Sequence, residues 1–278
     1  MGRQAGRVSL WDSPRWPRGA ALGTVVLGPV IVATGVTAHY HAVPADRALA
    51  ALAVSTLLGG GMGLAASSGA GPLWGRPGAR RLGDRRATLG LGGLVAGGAL
   101  GIWLAVTTSW WLLALGVVGT VGAVAVLRLW RSGSAPVRLP ALAAGVFLAG
   151  LGTAWAELGH LTWIAPVSAL MPAALAGALW LAAPQRTQPT GPAGLPQPNW
   201  RPVFLSLLAV ALAVPLLLTI PGLDGAECFL PWLVAPLGEG PLRNYASPDS
   251  ALRTRAFRQL AGLVVVACAL LAVGVWTG

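Results

Sequence analysis

Long apolar runs broken by short polar stretches set the rhythm of this chain. A helix that crosses a bilayer needs roughly 20 apolar residues, because about 30 Å of hydrocarbon is covered at about 1.5 Å per residue. By that measure the pattern predicts nine crossings, at about 19–40, 47–67, 87–106, 110–127, 139–156, 161–183, 202–220, 226–237 and 259–276. Only Thr107, Thr108 and Ser109 separate the third from the fourth, so these two form a tight hairpin. The eighth is short and carries Pro231 and Pro236, which predicts a thin, tilted or broken span. Glu157 and His160 fall in the predicted turn after the fifth run. The segment PQRTQPTGPAGLPQPNWR after the sixth is too proline-rich for a regular helix. The expected architecture is an all-α integral membrane bundle of nine helices, one domain over 1–278 that begins with a short segment, 1–18. The first run is longer than the apolar region of about 7–15 residues in a signal peptide, which argues against cleavage there.

Charge assigns sides to the spans. Cytoplasmic loops collect basic residues, and Arg47 is the one arginine of 19 that falls outside the amino terminus and the loops after spans two, four, six and eight. The amino terminus is therefore expected in the cytoplasm and the carboxyl terminus on the far side of the plasma membrane. Composition agrees with this class: 55% of residues are hydrophobic and 10% charged, with a mean hydropathy of +0.69. The net charge of +11 lies in short loops beside the membrane without a recognition module, so it points to anionic lipid rather than nucleic acid.

Candidate chemistry is sparse. All basic residues are arginine, which excludes a lysine Schiff base. Cys228 and Cys268 form no metal-binding pattern. His39, His41 and His160 sit at predicted loop edges, and the first two would diverge on a helix. Tryptophans such as Trp103, Trp110, Trp111, Trp163, Trp180, Trp232 and Trp276 mark an interfacial belt. Acidic residues avoid the middle of every predicted span, which argues against a proton-coupled pump. Glycines, among them Gly59, Gly60, Gly61 and Gly63 in span two and Gly92, Gly93, Gly97, Gly98 and Gly101 in span three, permit close helix contact.

Several strings, in their order along the chain, resemble the UbiA-type membrane prenyltransferases, and within them the dihydroxynaphthoate prenyltransferase branch of menaquinone biosynthesis. They are PRGAALGTVVLGPVIVATG, GARRLGDRRATLGLGGL, WWLLALG, FLAGLGTAWAELGHLTW and ALRTRAFRQLAGLVVVA. The resemblance implies a helical bundle with a polar cytoplasmic mouth, where a prenyl diphosphate is ionised and its chain passed to an aromatic acceptor. In that family two aspartate-rich motifs hold magnesium, which neutralises the departing diphosphate. Here the first would fall on Gly63, Ser67 and Gly71 and the second near Arg186 and Thr190. No aspartate or glutamate occurs between Arg47 and Gly83 or between Leu158 and Leu223, so a small shift of register recovers neither motif.

Three readings follow. In the first, a degenerate relative keeps the bundle and binds an isoprenoid such as a prenyl diphosphate or quinone-type lipid, with magnesium-dependent transfer weak or lost and no cofactor. In the second, transfer survives because Arg76, Arg80, Arg81 and Arg186 clamp the phosphates in place of metal. The third is a small-molecule permease or flippase. Membrane lipid is the expected partner of all three, with a membrane protein as a further candidate partner of the first.

Overall fold

The computed structural model describes residues 26–67, 85–119, 135–182, 201–220, 225–245 and 249–278. Among them every regular element is helical. In chain order they are α1 (Gly28–Tyr40), α2 (Ala45–Ser67), α3 (Arg85–Thr108), α4 (111–119), α5 (Ala135–Leu158), α6 (Ile164–Ala182) and α7 (Arg201–Thr219). A 3-10 stretch follows, Ala226–Val234 and Pro236–Gly238, then α8 (Glu239–Tyr245) and α9 (Ser250–Thr277).

Local chemistry explains several boundaries. Asp46 in the first turn of α2 complements the positive end of that helix. Gly159 stops α5 by adopting φ 79°, a left-handed conformation that costs a side-chain-bearing residue more, and its N–H closes on the Trp155 carbonyl at 2.8 Å. Asp249 caps α9, its side chain accepting from the Ala251 N–H at 2.8 Å. Arg253, Arg255 and Arg258 thus lie on the first turns of a helix, where the apolar pattern predicted a loop running to 258.

Among the described residues three helices are long and apolar enough to cross a membrane: Thr88–Thr108 within α3, Pro202–Thr219 within α7 and Thr254–Thr277 within α9. Leu142–Leu158 and Ile164–Leu179 are shorter apolar helices. In α3, buried Gly90, Gly97 and Leu104 recur every seven residues, while Leu89, Val95, Ile102 and Val106 are exposed. Such a helix meets protein along one stripe and offers the rest of its apolar surface outward.

α1 is the centre of the packing. It contacts α2, α5, α6 and α9, and Val36 and Thr37 have no exposed surface. Small residues make these contacts close. A methyl group on Gly35 would meet Ala272 Cα of α9 at 2.5 Å, and one on Gly28 would meet Cys268 Sγ at 3.2 Å. In the α2–α3 hairpin, a methyl on Gly93 would lie 3.2 Å from the Leu57 carbonyl oxygen, and one on Gly97 would lie 3.0 Å from the Leu58 side chain. Gly92 and Gly98 face open space instead. Only part of the glycine run therefore acts in packing, namely the residues four apart on one face.

This separation is testable by thermal unfolding of the full-length protein in detergent. Gly35→Ala is expected to destabilise by about 1–3 kcal/mol, because the added carbon meets backbone rather than a movable side chain. Gly98→Ala is expected to leave the unfolding temperature unchanged or to raise it, since it improves helix propensity without a clash.

Candidate functional site

α1, α3, α5 and α9 finish at one end of the bundle, where α2 and α6 begin; we call this the upper end. Its helices gather through small side chains: Ala50 and Ala51 of α2, Leu104 of α3 and Ala156 of α5 form one buried cluster. On α5, Gly150, Thr153 and Glu157 recur at helical spacing, so they share one face. A methyl on Gly150 would lie 3.6 Å from Pro29 Cβ of α1, and the same face places Glu157 against Thr34 and Thr37 of that helix.

Glu157 is the outstanding polar group of the described residues, with only 3% of its surface exposed. Thr34 Oγ1 donates to its Oε1 at 3.1 Å. Thr37 Oγ1 stands beside the same carboxyl while donating to the Ala33 carbonyl at 3.1 Å. Oε2 is buried and has no hydrogen-bond partner. Three other buried atoms share that condition: Thr108 Oγ1 and Trp155 Nε1 on the last turns of α3 and α5, and Thr162 Oγ1 in the turn between α5 and α6. A buried polar atom without a partner costs about 1–3 kcal/mol, so such a concentration marks a site rather than a packing accident.

The sequence pattern assigned Glu157 to a turn between spans. The structure places it instead on the last turn of α5, turned inward. Gly159 explains the difference, because the helix continues until the left-handed residue and carries the carboxyl into the bundle. The signal available beforehand was the Gly150, Thr153, Glu157 stripe, which gives a face of small and polar residues within an apolar helix.

Other candidates are placed differently. Arg76, Arg80, Arg81, Arg186, Gly71 and Thr190 lie outside the described residues. Gly63 and Ser67 are on the final turns of α2, at the end opposite Glu157. Among the described residues no three of His, Cys, Asp and Glu gather as a metal site. Cys228 and Cys268 are free and buried, Cys228 Sγ lying 3.7 Å from the Gly274 carbonyl oxygen and Cys268 against Gly28. His39 packs edge-on against Tyr40 with ring centroids 5.0 Å apart, beside an open recess of about 340 Å³ that His41 and Trp276 also line. His160 is exposed.

No known protein family, curated protein or solved structure matches this chain. What the fold defines is a class: a helical protein with helices long and apolar enough to lie across a membrane.

The Thr34 to Glu157 bond gives the site a direct test. Thr34→Val keeps the shape and removes the donor, and is expected to destabilise by about 1–3 kcal/mol in detergent unfolding. Thr34→Ser is expected to recover most of that loss.

Proposed function

We propose that this chain is a nine-crossing plasma-membrane protein, amino terminus in the cytoplasm, that holds an isoprenoid lipid as a degenerate relative of the UbiA-type prenyltransferases. One observation carries the reading: arginine occupies the loops where the family has its diphosphate site, yet both motif windows lack any carboxylate. Several negative charges on a diphosphate require compensation, and without metal ligands guanidinium groups are the remaining means.

The described residues of α2 and α6 run toward the two motif windows, reaching Ser67 and Ala182. Arg76, Arg80, Arg81 and Arg186 supply the attraction for the anion. The hydrocarbon chain of the ligand runs between helices toward lipid. In this reading the protein retains an anionic prenyl lipid and transfers its chain weakly or not at all.

Mass spectrometry of a native lipid extract from the purified protein is expected to show a co-purifying isoprenoid. Prenyl transfer assayed with and without magnesium is expected to give no metal-dependent product; such a product overturns the reading. The head-group contacts have their own test. Replacing Arg80 and Arg81 together by alanine is expected to weaken binding of an anionic prenyl lipid at least about tenfold, and replacing Arg253 and Arg255 to weaken it much less. Equal losses from the two pairs would instead indicate general attraction to anionic lipid.

A further inference from the structure

The upper end of the bundle carries a feature that isoprenoid binding at the opposite end does not use. Glu157 is 97% removed from solvent by the 3% figure above, and its Oε2 has no partner. An isolated ionised carboxylate in an apolar interior costs several kcal/mol, so a charge there is neutralised by a neighbour, a proton or a bound cation.

The neighbours do not provide that charge. α5 packs against α1, α2, α3 and α6. From α1 the titratable groups at this end are His39 and Tyr40, both around the rim recess. α2 brings Asp46 and Arg47 on its first turn. Described α6 has no titratable side chain, and those of α3, Arg85 and Arg86, are at its far end. His41 and His160 are exposed in the adjoining turns, and Arg138 of α5 itself lies at the other end of that helix. Among the described side chains, His39, Tyr40, His41, Asp46, Arg47 and His160 form neither an ion pair nor a hydrogen bond with Glu157.

Threonine hydroxyls accompany Glu157 on the facing turns of α1 and on its own face of α5. Thr37 Oγ1 stands within hydrogen-bonding reach of the carboxyl as well as 3.1 Å from the Ala33 carbonyl oxygen, so its rotatable hydroxyl can serve either. One turn below Glu157 on the same face of α5, Thr153 Oγ1 likewise donates to the Ala149 carbonyl at 2.9 Å. Thr34 holds the other carboxyl oxygen in place. Oxygen acceptors around one carboxylate suit a small hard cation or a proton and do not suit an anion. The recess lined by Ala38, Tyr40 and His41 lies just beyond Thr37 along α1, at the upper end of the bundle.

We propose that Glu157, with Thr34 and Thr37, is a binding site for a single positive charge, taken up at the upper end of the bundle as a proton or a monovalent metal ion. The two sources present the same chemistry to Oε2, and they separate by experiment. The site is independent of the isoprenoid reading and stands or falls without it.

Thermal unfolding of the full-length protein in detergent, in choline buffer, tests the inference over a pH series and over added NaCl at fixed pH. A ligand that binds only the folded state adds about 1.4 kcal/mol for each tenfold rise above half-saturation. The wild type is expected to show one such response, and Glu157→Gln is expected to lose it while still unfolding cooperatively. A response to pH alone identifies the proton; a response to sodium, with potassium and choline as controls, identifies the metal ion. A Glu157→Gln protein that keeps the wild-type response overturns the proposal, as does a wild type that responds to neither. If Glu157→Gln does not fold, the wild type treated with dicyclohexylcarbodiimide carries the test. Glu157 is then expected to be modified, with at least a tenfold loss of modification on raising pH or adding sodium. Modification absent throughout, or unaffected by both, overturns the inference.

Discussion

The approach of α1 to its neighbours at backbone distance is the constraint on which this structure depends. Hydrocarbon offers no hydrophobic drive for one apolar helix to prefer another over lipid, so association rests on dispersion contact and shape. Gly35 meets Ala272 with no room for a side-chain carbon, and Gly28 seats against Cys268. These contacts bring α9, the last helix of the chain, against the first described one. With α5 and α6 on its other sides, α1 becomes fully surrounded, and Val32, Val36, Val214, Leu218, Leu271 and Val275 join one core.

Proline shapes the other half of the bundle. Pro215 lies within the continuous helix α7, and three residues before it the Leu212 carbonyl accepts from Trp232 Nε1 at 3.0 Å. That bond docks the 3-10 stretch against α7. That stretch is itself an answer to shortness. A 3-10 helix rises about 2.0 Å per residue against about 1.5 Å for an α-helix, so the same few residues reach further. Its start is pressed against the end of α9, where the Gly274 backbone leaves no space beside the Glu227 carbonyl.

Polar groups divide between the ends of the bundle in two different ways. Arg243 of α8 and Arg255 and Arg258 on the first turns of α9 are exposed at the margin, where charge remains solvated. Glu157 is carried inside, because α5 runs two residues beyond its apolar run and stops only at Gly159. Near the lower end, Arg243 and Glu239 pair across one turn of α8 while both stay largely exposed, an arrangement that contributes little to stability. The buried carboxyl, held by one hydroxyl and open on its other oxygen, is the more consequential of the two.

Much of the helical organisation was legible in the chain. Apolar length marked helices at Ala45–Ser67, Arg85–Thr108 and Arg201–Thr219 to within a few residues, since the spacing of polar breaks is a one-dimensional property. The short eighth segment was marked by Pro231 and Pro236, although its 3-10 geometry was not. The predicted arginine site, by contrast, falls in segments outside the described residues, and the polar site that the structure does define went unnoticed. Hydropathy alone determined the helical, membrane-suited class of this protein. Tertiary structure decided that Gly93 and Gly97 face protein while Gly92 and Gly98 do not, and that Glu157 points inward. The physical reason is that lipid and protein interior are equally apolar, so an apolar residue carries no mark of which it will touch until the helices have found one another.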